Sequence, residues 1–207
     1  MQLLIHGFGT YADYGKFGGL TDPVNSGFVA WHQEIIDGKA TVFNWGITKQ
    51  FHGAIYFRIN SHLDFYREEV ALCSDLIILS QLHNLILDIA PSEIICHSTG
   101  AQLFLEYCEV YKPNVSITKI TFLQSNISAR TSVPTNLRTP LENHSIILEN
   151  TYCWYDQTLI VAAIIDREQK AGLIGWKNKL IRNHSVKLSP KNPHQSILVN
   201  RNLSSWK

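Results

Sequence analysis

No excess of one charge marks this chain: 18 Lys and Arg stand against 17 Asp and Glu in 207 residues, for a formal charge of +1. A nucleic-acid binder needs clustered cations to meet phosphates, so that class is set aside. Long apolar runs are missing as well. The longest, Leu159–Ile165 and the broken run around Leu76–Leu79, fall well short of the ~20 residues that cross a bilayer. The chain opens on Gln2-Leu3-Leu4-Ile5-His6, without a basic stretch or a small-residue cleavage site. No leader peptide is expected, and the expected compartment is the cytoplasm. Paired CxxC cysteines are absent too. Cys73, Cys96, Cys108 and Cys153 are far apart, each in an apolar stretch, which suits buried free thiols rather than zinc. One or two disulfides fit only an exported chain. There are no internal repeats, low-complexity tracts or linkers.

What is present is a normal apolar fraction, 45%, on a length that suits one domain of the usual ~100–200 residues. We read residues 1–207 as a single unit. Gln2–His6 is a short apolar run entering Gly7-Phe8-Gly9, as a buried strand enters a glycine loop. Residues 10–27 read as a long loop, Phe28–Asp37 as a short helix, and Ala40–Trp45 as a second strand. Leu63, Tyr66, Val70, Cys73 and Ile77 form an apolar stripe, predicting one long helix from a Ser61 cap to about Ala90, with a well-buried second half.

Further strands are expected at Glu93–Cys96, Ile117–Leu123, Ile146–Trp154 and His184–Leu188. Helices are expected at Thr99–Tyr111, Gln157–Lys170 and from about Gln195, with a polar loop through Pro134 and Pro140. Alternating strands and helices predict an α/β fold, with a mostly parallel sheet covered on both faces.

In such a sheet, sites gather at the carboxyl ends of the strands. The residues there are His6-Gly7-Phe8-Gly9, Trp45, His97-Ser98-Thr99-Gly100, Asp156 and His194. Cys96-His97-Ser98-Thr99-Gly100 puts a serine between strand and helix, with small residues two before and two after. That pattern suits a sharp, strained turn that lifts the hydroxyl into the open above a helix N-terminus. A serine hydroxyl attacks only when a neighbouring base takes its proton, and a third group must orient that base. Asp156 and His194 follow the last strands, giving the chain order Ser, Asp, His.

These residues resemble the α/β-hydrolase family. Cys96-His97-Ser98-Thr99-Gly100 is similar to its G-x-S-x-G nucleophile elbow, with Cys96 replacing the first glycine, and His6-Gly7-Phe8-Gly9 is similar to its His-Gly loop. The resemblance runs from Ile5 to His194 and is to small members with little or no cap. It implies a three-layer sandwich and a serine esterase or lipase-like enzyme. Within it, Ser98 is the nucleophile, His194 the base and then acid, and Asp156 the orienting residue. The backbone amides of Phe8 and Thr99 form the oxyanion hole. Gly9, Trp45 and His97 are expected to line the substrate pocket, and the aromatic stretch 46–60 is the candidate lid. The expected substrate is a small-molecule ester, with no cofactor and no metal.

Each assignment has a plainer competitor. Ser98 and Asp156 both sit where a helix N-cap belongs. Asp166 is the alternative acid, and His184 and His144 are alternatives to His194. Trp31, Trp45 and Trp154 suit a core as well as a pocket. Thioester hydrolysis and acyl transfer use the same three residues. A hydrolase-like domain that only binds a small molecule or a partner is the reading from a different class.

Overall fold

A computed structural model describes residues 1–7, 28–43, 45, 66–68, 70–190 and 193–199. Among them six strands form one sheet in the order β2-β1-β3-β4-β5-β6, every neighbouring pair parallel. They are β1 (Gln2–Ile5), β2 (Ala40–Phe43), β3 (Glu93–His97), β4 (Lys119–Leu123), β5 (Ile147–Tyr152) and β6 (Arg182–Ser185). The helices are α1 (His32–Ile36, entered through a 3-10 turn at Val29–Trp31), α2 (Leu76–Ile89), α3 (Thr99–Val110), α4 (Thr135–Glu142), α5 (Gln157–Asp166), α6 (Ala171–Ile174) and α7 (Pro193–Val199). No single helix among the described residues is long and apolar enough to cross a membrane.

Alternation along the strands divides the core in two. Leu3, Ile5, Ile94, Cys96, Ile120, Phe122 and Leu148 face α2, α3 and α4, where they meet Leu79, Phe104 and Leu137. Leu4, Ile95 and Leu123 face the other way, packing with Phe28, Trp31, Ile197 and Leu198 beside α1 and α7. Both faces are therefore apolar and covered, as a parallel sheet requires. The fold is α/β in three layers, and burial of each large aliphatic side chain contributes about 2 kcal/mol to it.

The strand order reverses at β1, whose residues 2–5 pair with β2 on one side and with β3 on the other. Crevices open at such a switch point, outside the carboxyl ends of the strands. Ile5 is level with Cys96, and His97 with Leu123, so the ends of β1, β3 and β4 meet there.

Several expectations need correction. The long helix ending near Ala90 is interrupted: a turn at Cys73–Ser74 precedes Asp75, whose carboxylate accepts from the N–H groups of Ile77 (2.8 Å) and Ile78 (3.2 Å) and starts α2 afresh. A side-chain acceptor at an N-cap satisfies the orphan amides of a first turn, and here it outweighs the continuous apolar stripe. Leu76, Ile77 and Leu87 of α2 are exposed, so only its Ile78–Leu79–Leu82–Ile86 side is buried. Ser61 and Leu63 lie outside the described residues, as does the expected loop at 10–27.

The segment read as a loop through Pro134 and Pro140 contains α4, with Pro140 inside it and Leu137 and Leu141 buried four residues apart. The last strand runs over Arg182–Ser185 rather than His184–Leu188, and α5 ends at Arg167, in a left-handed conformation (φ 55°), instead of reaching Lys170. Burial of apolar side chains at helical spacing decided the first of these. The last strand is an edge with mostly exposed side chains, so alternation gave no signal there.

Candidate active site

Ser98 links β3 to α3 with φ 53° and ψ −121°. This lies outside the regions open to a residue with a Cβ and costs on the order of 1–3 kcal/mol. Hydrogen bonds on both sides hold it. The Ser98 N–H donates to the carbonyl of Leu123 (3.0 Å), and its carbonyl accepts from the N–H groups of Asn126 (3.1 Å) and Ala101 (3.2 Å). Two glycines permit the crowding. A Cβ on Gly7 would come within 2.5 Å of the Ser98 Cβ, and one on Gly100 within 2.5 Å of the Ile5 carbonyl oxygen. The start of α3 thus presses onto the end of β1, and Gly7 presses onto the turn.

The serine side chain makes no cap hydrogen bond to α3, which sets aside its plainer reading. Ser98 is only 3% exposed, whereas an open hydroxyl was expected. Thr99 is the first residue of α3, and amides in a first helical turn have no partner within the helix.

His194 and Asp156 meet although 38 residues separate them: the ring Nδ1–H donates to Asp156 Oδ2 at 2.7 Å. Asp156 is fully buried. Its other oxygen, Oδ1, accepts from the Leu159 N–H at 3.2 Å and caps α5. The N-cap and the histidine partner are therefore the same carboxylate, one oxygen for each. With the proton held on Nδ1, the neutral imidazole keeps its lone pair on Nε2. Among the described residues no hydrogen bond joins Ser98 Oγ to the ring of His194.

His97 lies between these parts. It is 2% exposed, its Nε2–H donates to the backbone carbonyl of His194 at 2.9 Å, and the two rings stand 4.6 Å apart, tilted by 50°. Burial pushes its pKa well below the usual imidazole range, and the nearby rings of His194 and His6 act in the same direction. His6 is fully buried, its Nδ1–H donates to the Gly7 carbonyl (3.0 Å), and burial lowers its pKa to about 4. The indole of Trp45 stacks on His6 at 5.7 Å and donates to its carbonyl at 3.0 Å. Both imidazoles are therefore neutral near pH 7.

The structure thus brings Ser98, Thr99, His97, Asp156 and His194 to one end of the sheet, with His6 and Trp45 stacked on each other next to Gly7. Trp45 and His97, expected in a pocket lining, are both buried against neighbouring side chains. Phe8, Gly9, residues 46–60 and His52 lie outside the described residues. The alternatives are placed elsewhere. Asp166 binds Lys170 and the Tyr66 hydroxyl, His184 stands 3.7 Å from Glu149 on the edge strand, and His144 is exposed on a turn. Trp31 belongs to the core, and Trp154 is 73% exposed. All four cysteines are buried free thiols.

Sequence reasoning missed the turn after β4, where Gln124 (φ 45°), Ser125 and Asn126 are buried and Asn126 braces the Ser98 carbonyl. Only a signal at Asn150 was available. This amide, fully buried in β5, accepts from Ser125 Oγ (2.7 Å) and donates to Asn183 and the Ala171 carbonyl. No protein-family model matches this chain, and no curated protein matches it.

Proposed function

We propose that this protein is a serine hydrolase of the α/β-hydrolase type, acting on carboxylic esters through Ser98, His194 and Asp156. The observation that carries the reading is the 2.7 Å hydrogen bond between His194 Nδ1 and buried Asp156 Oδ2, at the strand ends where Ser98 occupies a strained strand-to-helix turn. An aspartate in that place holds the imidazole in the tautomer that can accept a proton at Nε2 and stabilises the imidazolium that forms.

In this reaction Ser98 Oγ adds to the ester carbonyl as its proton passes to His194 Nε2. The oxyanion is met by the amides of Thr99 and Phe8, the second resting on the resemblance of the His-Gly loop. Loss of one such donor typically costs ~10²–10³ in rate. The alcohol leaves with the proton from His194. Water then enters by the same route and releases the acid, restoring Ser98. The chain's own residues supply every proton transfer.

The test is covalent labelling of the purified protein with a fluorophosphonate, beside Ser98→Ala. Stoichiometric labelling is expected in the wild type and none in the variant, with hydrolysis of p-nitrophenyl acetate lost in parallel. A folded wild type that neither labels nor hydrolyses short esters overturns the reading in favour of a domain that only binds.

A further inference from the structure

We infer that His97 is a positioning residue, which fixes the backbone of His194 by a hydrogen bond and sets the place from which that imidazole serves Ser98. The inference rests on the hydrolase reading for its kinetic consequence, though not for its geometry.

Three observations carry it. Residues 93–97 alternate between the two faces of the sheet, and Ile95, two positions earlier, lies in the cluster that includes Ile197 and Leu198 of α7. His97 shares that face, so β3 directs the ring at the helix that bears His194. Its Nε2 meets a carbonyl oxygen at 2.9 Å, and a carbonyl can only accept, so the proton of neutral His97 is fixed on Nε2. The other nitrogen, Nδ1, is buried without a hydrogen-bond partner and lies 3.2 Å from where a Cβ on Gly7 would stand. One rigid ring thus spans the gap between Gly7 and the His194 backbone.

The role is specific to a donor at that reach. His194 sits in the first turn of a seven-residue helix, and its ring is tied to Asp156 through Nδ1 alone. That bond sets the ring's orientation about one nitrogen, while the carbonyl bond from His97 sets where the backbone stands. Together they determine the position of Nε2. A displacement of about 1 Å in such a group can cost on the order of 10²-fold in rate. A neutral ring is also the one that belongs there, because a second imidazolium 4.6 Å away would oppose proton uptake by His194.

The experiment compares His97→Leu with His97→Gln, whose side-chain amide offers a donor at similar reach. Kinetics on p-nitrophenyl acetate are read beside proton and nitrogen NMR of the histidine rings. Expected are an Nε2–H tautomer for His97 and a strongly downfield His194 Nδ1 proton in the wild type. His97→Leu should lower kcat by about tenfold or more with KM little changed, the signature of a lost transition-state arrangement, and should shift or broaden the downfield proton. His97→Gln should recover most of both.

Wild-type kcat and an unchanged downfield proton in His97→Leu would overturn the inference. Equal losses in the two variants would assign His97 to packing alone and overturn it as well. An Nδ1–H tautomer of His97 in the wild type does so without any variant having to fold. Failure of the hydrolase reading is visible separately, as a wild type that neither labels nor turns over ester. The tautomer and the His194 proton still decide the positioning role in that case.

Discussion

Asp156 does two jobs with its two oxygens, and this makes the triad assignment testable without losing the fold. Oδ1 caps α5 and Oδ2 holds His194. Asparagine caps a helix about as well as aspartate, whereas alanine gives up about 1 kcal/mol. An amide has no negative charge to stabilise an imidazolium, and it can hold the ring in the wrong tautomer. Asp156→Asn is therefore expected to keep a thermal midpoint near that of the wild type while kcat falls by roughly 10²–10⁴. Asp156→Ala should lose both stability and activity. Melting curves and ester kinetics on the two variants check this, and an Asp156→Asn protein with ordinary turnover would remove Asp156 from the mechanism. Read in sequence, the cap and the partner of a histidine were competing interpretations of one residue. They coexist because a carboxylate has two acceptor oxygens, and only the fold shows which group each one meets.

Elements formed where local pattern and burial agreed. Gln2–Ile5, Glu93–His97 and Thr99–Val110 lie within a residue or so of their expected limits, because short apolar runs beside a glycine turn have few other solutions. The interrupted helix before Leu76 and the helix across Pro140 departed from expectation for opposite reasons. A capping aspartate divided a stripe that looked continuous, and two buried leucines stabilised a helix through a proline. Proline costs most in a helix interior, and Pro140 stands only two residues from the end of α4.

The helix at the elbow offers a sharp test. At an open helix position Gly→Ala stabilises by about 1 kcal/mol. At Gly100 the added methyl would meet the backbone oxygens of Ile5 and His6 at 2.5 and 2.6 Å, and forced overpacking of this kind costs typically ~1–3 kcal/mol. Gly100→Ala is expected to lower the thermal midpoint and to slow fluorophosphonate labelling as α3 moves away from β1. A higher midpoint would show that the helix is not pressed against that strand.

At the scale of the whole molecule, burial of two histidines couples the site to stability. His6 titrates near 4 in the folded protein, and His97 also lies below its ordinary range. Above about pH 6.5 both are neutral in folded and unfolded chains and add no pH dependence. As the pH falls below that, the unfolded chain takes up protons that the folded one refuses, so stability declines. For His6 the loss is roughly 2 kcal/mol by pH 5 and levels off below about pH 4, and His97 adds to it in the same direction. Urea midpoints at pH 7 and pH 5 measure the effect. An unchanged midpoint, or the same decline in His6→Gln, would contradict the burial of these rings.

The sequence by itself determined the fold class and a short set of candidate residues. Apolar periodicity and glycine turns specify which segments become strands and helices, and chain order places Ser98, Asp156 and His194 after β3, β5 and β6. What only the tertiary structure decided is who meets whom. Hydrogen bonds such as His194 to Asp156 and His97 to the His194 carbonyl join residues 38 and 97 positions apart, and no local pattern encodes such a distance. They arise because all neighbouring strands are parallel, which brings their carboxyl ends to one end of the sheet. There the packing of two apolar faces, rather than any nearby residue, sets the positions of the polar groups.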